Sequence, residues 1–224
     1  MHNFTVYCAH RSGSNYYENL LKKNFKDLRS LHHDRQHHTW KHAGYTPGYK
    51  NGRKFTCIIA RHPIKWVNGC VQFNADMWKW WGVDTSQSSE LTFYYNKKHI
   101  SIPKMVAKWN KFYNSWLDNT DSFFVWYPDL LNEDTNKEIV RSTGSKYGLE
   151  WKTDTVVDQT YIVGPHEVTE TKYNKREKEL DIENNPNLTE QQVNYIIEHI
   201  DCKLIEKMSE RREYENSDSI QWPA

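Results

Sequence analysis

No apolar run in the sequence approaches the ~20 residues needed to cross a bilayer. Net charge is also nearly absent, because 30 Lys and Arg stand against 29 Asp and Glu, so no overall field favours nucleic acid or an anionic membrane. The first strand-like run begins at Phe4, which leaves no room for a targeting peptide. These absences predict a cytoplasmic protein with no membrane span and no nucleic-acid partner.

Cysteine is scarce, and the four residues present form no C-x-x-C pair. Cys8 and Cys57 fall in apolar runs, where a free cysteine is usually a small buried hydrophobe. The spacing indicates a reducing compartment rather than a disulfide framework. An aromatic content of 14% can still build a core, so the 224 residues predict one domain, with a polar, frayed tail at 211–224.

The rest of the chain is organised around the segment 4–21, FTVYCAHRSGSNYYENLL. A β-favouring run leads into a polar turn containing Gly13, and apolar residues at helical spacing follow. Strand, small-residue turn and helix aim backbone N–H groups and a helix dipole at an anion, and Arg11 adds a full positive charge. The pattern predicts a phosphate or sulfate site. The alternative is an ordinary strand-to-helix turn with a serine N-cap.

Two further segments place charged groups beside predicted strand ends. The histidine-rich run 32–42, HHDRQHHTWKH, follows a brief strand predicted at 27–31; a zinc site, a solvated connection and a catalytic base are all open for it. The run 55–60, FTCIIA, predicts a central strand, and Pro63 suits the first turn of a following helix. Arg61 lies between them, at the predicted strand end, where an arginine can also form a structural ion pair.

In this order the segments resemble the sulfotransferases that use 3′-phosphoadenosine 5′-phosphosulfate (PAPS). Arg11–Tyr16 is similar to the family's 5′-phosphosulfate loop, and a strand followed by Arg61 and Pro63 is similar to its 3′-phosphate motif. Tyr127–Leu131, after a strand predicted at 122–126, is similar to a segment whose tyrosine approaches the adenine. The resemblance implies a single α/β domain with a mostly parallel central sheet flanked by helices. It also implies in-line transfer of the sulfuryl group of PAPS to a hydroxyl of a saccharide, lipid, peptide or small molecule.

The resemblance also assigns roles to individual residues. Lys41 would neutralise the sulfuryl oxygens together with Arg11, and His42 would be the general base. The alternatives for the base are His32, His33, Asp34 and His38. The residues implied to bind the donor are Arg11, Ser12, Gly13, Ser14, Asn15, Tyr16, Arg61, Asn68 and Tyr127. His33 is also a candidate for binding the acceptor, and so are Trp78 and Trp81, because a Trp cluster before a polar run suits a substrate lid as well as a core. The resemblance implies no metal.

The sequence departs from the family pattern around the 3′-phosphate. The serine expected in the helix after Arg61 falls on Gly69, so Asn68 or Lys65 would replace it. The family's Gly- and Lys-rich third motif is not found either. Its only substitutes are Lys172, Lys175 and Arg176.

Two other classes of function remain alternatives. A kinase-like phosphotransferase shares the strand–turn–helix plan, but no G-x-x-x-x-G-K-[ST] is present to hold Mg²⁺ and the β/γ-phosphates. A non-catalytic glycan- or protein-binding module would use the Trp and His clusters instead. Elsewhere, periodicity and capping signals predict helices at 102–117 and 133–147, and a single helix running from 190 through 208.

Overall fold

The computed structural model describes residues 1–9, 12–31, 42, 44–45, 55–71, 92–95, 98–117, 119, 121–157, 161–164 and 167–212. Within these ranges the strands are β1 (His2–Cys8), β2 (Leu28–Ser30), β3 (Phe55–Ala60), β4 (Thr92–Tyr95), β5 (Lys98–Ser101), β6 (Phe123–Trp126), β7 (Tyr161–Gly164) and β8 (Glu167–Thr171). The helices are α1 (Ser14–Asn24), α2 (Pro63–Val71), α3 (Ile102–Leu117), α4 (Tyr127–Leu130), α5 (Glu133–Tyr147), α6 (Lys172–Leu180), α7 (Glu190–His199) and α8 (Cys202–Glu210). None of these helices is both long and apolar enough to cross a membrane.

The centre of the molecule is a parallel sheet with the strand order β2–β1–β3–β6. The register pairs Cys8 of β1 with Ile59 of β3, and Ala60 of β3 with Trp126 of β6. Parallel strands buried on both faces need near-continuous apolar sequence, which β1 and β3 have. The protein is therefore an α/β protein with an all-parallel central sheet flanked by helices, as predicted.

Alternate residues of each strand face opposite helical layers. Val6 and Cys8 point to the layer that contains α1 and α5, where Leu20 and Ile139 are fully buried. Tyr7 points to the other layer, which α2, α3, α7 and α8 build with large aromatic side chains. The sheet thus lies between two apolar layers, and its strand ends are the places where polar groups gather.

The helix predicted from 190 to 208 is in fact two helices, and that prediction was wrong. Ile200 has an extended backbone, with φ −71° and ψ 141°, and it ends α7. The Asp201 side chain then accepts a hydrogen bond from the Leu204 N–H and caps α8. Ile197, predicted on the buried face of a single helix, is 39% exposed. Aspartate is a preferred N-cap residue, and this one overrides the apolar periodicity around it.

Arg211 and Arg212, the first two residues of the tail predicted to be frayed, are both anchored, and residues 213–224 lie outside the described residues. Arg212 lies 3.7 Å from the Asp129 carboxylate, and its backbone forms a parallel bridge with Phe124 on the outer edge of β6. A guanidinium carries five donors, enough to hold several backbone groups at once. Arg211 donates to the carbonyl oxygens of Trp116, Leu117, Asn119 and Ser122.

Candidate functional site

The carboxyl ends of β1 and β3 form a topological switch point. The chain runs from β1 through α1 to β2 on one side, and from β3 towards β6 on the other. In open parallel sheets, the crevice outside such a point is where ligands bind. The turn before α1 and Arg61 both lie at this point, because they directly follow β1 and β3. Tyr127 follows the carboxyl end of β6, the next strand in the sheet.

The turn before α1 depends on Gly13. This residue is the N-cap of the helix, has φ +84° and makes no side-chain capping bond, so the alternative of a serine N-cap is not what the chain adopts. A Cβ placed on Gly13 would overlap Cδ2 and Cε2 of Tyr127. Glycine is thus required twice, for the left-handed backbone and for contact with the ring. Ser12 and Ser14 beside it are buried, with exposed fractions of 0% and 5%.

The hydroxyl of Tyr113 joins the two strand ends. It donates to the Ile59 carbonyl (2.8 Å) and accepts from the Ala9 N–H (3.3 Å). Burial raises its pKa most, the Cys8 thiol raises it further, and hydrogen bonds that include the Ser12 hydroxyl lower it. Ser12 Oγ is near enough to affect this hydroxyl, but the two groups lack the geometry of an ordinary hydrogen bond, and no other described residue bonds to Ser12 Oγ. It is therefore a buried oxygen that an anion at this turn would satisfy.

His42, the predicted base, lies at the carboxyl end of β1 and not beside β2, the strand that precedes it in the sequence. Its Nδ1 is 2.7 Å from the carbonyl oxygen of Cys8 and 3.8 Å from the Cys8 Sγ. A carbonyl can only accept, so Nδ1 carries the proton in this bond, and the lone pair of a neutral ring is on Nε2. Cys8 is thus part of the site and not only a small core residue. The catalytic role of His42 stays a prediction.

Arg61 is buried in an ion pair with Glu179 of α6. Its Nε and Nη2 donate to Oε2 and Oε1 of that carboxylate, both at 2.5 Å. Burial alone would lower the pKa of Arg61, but the Glu179 charge and hydrogen bonds outweigh it and raise that pKa. The structural ion pair considered for Arg61 is therefore present. The 3′-phosphate contact stays a prediction, and it would have to compete with Glu179.

The other polar residues predicted for the 3′-phosphate also meet the segment after α6. Asn68 Oδ1 accepts from the backbone N–H and from Nδ2 of Asn187, both at 3.1 Å. Lys65 Nζ donates to the Asn184 carbonyl at 2.7 Å. Gly69, where the resemblance expects serine, lies against the guanidinium of Arg61, since a Cβ there would be 2.5 Å from Nη1. Asn68 as a donor-binding residue also stays a prediction.

His62 has a structural role at the start of α2. Its Nδ1 accepts a hydrogen bond from the Ile64 N–H at 3.2 Å, which only an unprotonated nitrogen can do. Burial, followed by the positive charges of Lys65 and Arg61, lowers the pKa of His62 to about 3. The residue therefore caps the helix as a neutral ring. This role gave no signal in the sequence beyond its position before Pro63.

Tyr127 connects the turn to Arg61. The guanidinium carbon of Arg61 is 5.8 Å from the centre of the Tyr127 ring, and Gly13 packs on the same ring. Tyr16 is also buried, and its hydroxyl accepts from Asn136 Nδ2 at 3.2 Å. A contact of these tyrosines with the adenine of a donor remains a prediction.

Several predicted site residues lie outside the described residues. They are Arg11, Lys41, His33, Trp78 and Trp81, together with the alternative bases His32, Asp34 and His38. In the part of the chain that is described, no three His, Cys, Asp or Glu side chains come together as metal ligands. A cleft of ≈ 680 Å³ lies away from the strand ends, and it is lined by Lys137, Arg141, Trp151, Thr153, Asp154, Thr155 and Val156.

Comparison with protein-family models, curated proteins and solved structures finds no match for this chain. The resemblance to sulfotransferases therefore depends on the residues quoted above. The Tyr127 ring contacts two different groups. One is the turn before α1, which offers the buried Ser12 hydroxyl and the first N–H groups of the helix, and the other is the buried guanidinium of Arg61. Hydroxyl, backbone N–H and guanidinium donors are groups that bind anions in proteins, although this guanidinium is bound by Glu179.

Proposed function

We propose that this chain is a PAPS-dependent sulfotransferase that transfers a sulfuryl group to a hydroxyl acceptor. The observation that carries the proposal is the contact of the Gly13 turn and of Arg61 with the same Tyr127 ring, at the switch point of a parallel sheet. One adenosine with phosphates at both positions would reach both groups. The Gly13 turn and Arg61 would then bind opposite ends of the same ligand.

The turn before α1 would hold the 5′ end of the donor. Backbone N–H groups of the first turn of α1 lack helical acceptors, and the helix dipole is positive there. The buried Ser12 hydroxyl and the charge of Arg11 add two further donors. Charge develops on the bridging oxygen as the sulfuryl group leaves, and fixed donors aimed at that oxygen stabilise the transition state. When bound, PAPS supplies a sulfuryl group on an activated leaving group.

His42 would take the proton of the acceptor hydroxyl. Its Nδ1–H is directed at the Cys8 carbonyl, which holds the ring and leaves the lone pair on Nε2. A positioned base of this kind contributes about 10²–10⁴-fold to the rate. Because the Cys8 carbonyl directly precedes the turn, the base and the anion site would be fixed by the same strand end.

Binding of adenosine 3′,5′-bisphosphate (PAP) tests the proposal without an identified acceptor. Calorimetry should show that PAP binds the wild type more tightly than AMP or ATP–Mg²⁺ does. The Arg11→Ala variant should lose most of this affinity because the turn loses its charge, and it should also lose orders of magnitude in transfer of label from ³⁵S-PAPS. Arg29→Ala is the matched control, since Arg29 is an exposed arginine on β2. Preference for ATP–Mg²⁺, or full PAP binding by Arg11→Ala, would contradict the proposal.

A further inference from the structure

The Arg61–Glu179 pair occupies the place where the proposed donor would put its 3′-phosphate. The side chains are 7% and 2% exposed, and both carboxylate oxygens are bound by the guanidinium. A phosphate group offers a guanidinium the same pair of oxygen acceptors in the same fork geometry. A carboxylate and a phosphate therefore compete for one set of donors on Arg61.

Gly69 is what allows the guanidinium to lie in this position. A serine there, as the resemblance expects, would bring its Cβ within 2.5 Å of Nη1 and push the guanidinium away. The missing side chain and the pairing with Glu179 are thus linked. The departure from the family pattern at Gly69 thus goes together with the ion pair that Arg61 forms with Glu179, a residue 110 positions further along the chain.

Phosphate cannot simply replace Glu179 while α6 stays in place. A buried carboxylate that loses the guanidinium bound to both of its oxygens is strongly disfavoured, so Glu179 would have to leave the interior or take up a proton. The burial of side chains at the end of α6 favours the first of these outcomes, in which Glu179 leaves the interior. Glu177 and Lys178 are exposed and Leu180 is half-buried, so among residues 176–180 the one fully buried side chain is Glu179 itself. Segments whose described side chains bury little apolar surface, as 176–180 do, open at low free energy.

We infer that Glu179 controls the affinity of the proposed donor site for a 3′-phosphate, because its carboxylate holds Arg61 and must be displaced, together with α6, before the phosphate binds. This inference rests on the proposed function. It makes Glu179 a positioning residue that acts through Arg61. The contacts of Asn187 with Asn68 and of Asn184 with Lys65 would open in the same movement, since they belong to the segment that follows α6.

The test compares PAP with AMP, which differ in the 3′-phosphate, on the Glu179→Gln variant. Glutamine keeps the size of the side chain and removes the charge that competes for Arg61. If the closed pair is populated ~90% or more, its release improves PAP affinity by about tenfold or more and leaves AMP affinity unchanged. Glu177→Gln removes the same charge from an exposed position on the same helix and should change neither affinity. A merely structural role for Glu179 would not move the ratio of PAP to AMP affinity.

Hydrogen exchange of the wild type provides a second measurement in case Glu179→Gln folds poorly. Saturating PAP should accelerate exchange of amides in 172–187, whereas saturating AMP should not. Wild-type PAP binding with no faster exchange there, or with an unchanged affinity ratio in a folded Glu179→Gln, would overturn the inference and leave the transferase proposal standing. If PAP binds neither protein, both are overturned.

Discussion

Replacing Gly13 by alanine tests the contact on which the proposed site depends, and Gly148→Ala is its matched control. Both glycines have a left-handed backbone, with φ +84° at Gly13 and φ +57° at Gly148. They differ in their surroundings, because a Cβ at Gly13 would overlap the Tyr127 ring while a Cβ at Gly148 would meet nothing within 4 Å. The pair therefore separates backbone strain from the clash with Tyr127.

The expected magnitudes follow from that difference. A left-handed alanine costs ~1–2 kcal/mol at either position, less ~0.4–1 kcal/mol because alanine also restricts the unfolded chain. At Gly13 the ring of Tyr127 must also move, and the ring has little space because Tyr127 is only 4% exposed. Forcing extra atoms into a packed site costs ~1–3 kcal/mol more. Gly13→Ala should thus lower the free energy of unfolding by ~1–3 kcal/mol more than Gly148→Ala.

Urea unfolding followed by tryptophan fluorescence measures this difference, and calorimetry with PAP adds the functional readout. Gly13→Ala should also bind PAP less tightly. The Tyr127 ring contacts both the turn and Arg61, so its displacement would move both groups. Gly148→Ala should bind PAP like the wild type. Equal losses of stability in the two variants would refute the contact between Gly13 and Tyr127. They would also refute the argument that one ligand reaches both the Gly13 turn and Arg61.

Two further predictions concern histidines. The pKa of His62 is about 3 in the folded chain and ~6.5 when unfolded, so the unfolded state binds more protons between these values. The contribution of His62 to stability is therefore fully present above pH ~6.5 and falls by about 1.4 kcal/mol per pH unit on acidification through this window. His62→Asn keeps a capping oxygen without titrating, and its urea-unfolding free energy should lack this component of the slope; parallel pH curves for the two proteins would count against the assignment. In the second, His42→Ala should abolish transfer from ³⁵S-PAPS to a panel of hydroxyl acceptors while sparing PAP binding, with the exposed His199→Ala as the control. Loss of transfer in His33→Ala instead would move the base to that residue.

Local sequence signals predicted the parts of the fold that depend on neighbouring residues. The helix at 102–117 and the helix at 133–147 have the predicted bounds, and Gly148 ends the second with φ +57°. Thr189 and Gln192 form the predicted capping box. Periodicity, caps and turn residues act over a few positions, and a single sequence displays them directly.

The contacts that organise the candidate site could not be predicted in the same way. Arg61 and Glu179 are 118 positions apart, and nothing near either residue indicates the other. Tyr113 reads as one more apolar position on its helix, although its hydroxyl joins two strand ends. A charged run such as 167–183 usually indicates a solvated surface, so one buried glutamate within it gives no pattern. Such pairings arise from the three-dimensional fold and leave no periodic trace.

The bridge between Phe124 and Arg212 has a consequence for the chain during its synthesis on the ribosome. It covers part of the outer edge of β6, a strand at the border of the sheet. Uncovered edges offer unpaired backbone groups to other chains and favour aggregation. During synthesis, β6 emerges from the ribosome long before residue 212 does, so the growing chain carries an open edge for the time needed to add the residues between them. Until residue 212 is made, this stretch of the edge lacks the bridge that the described residues give it, and an unpaired edge in a partly made chain is prone to aggregate.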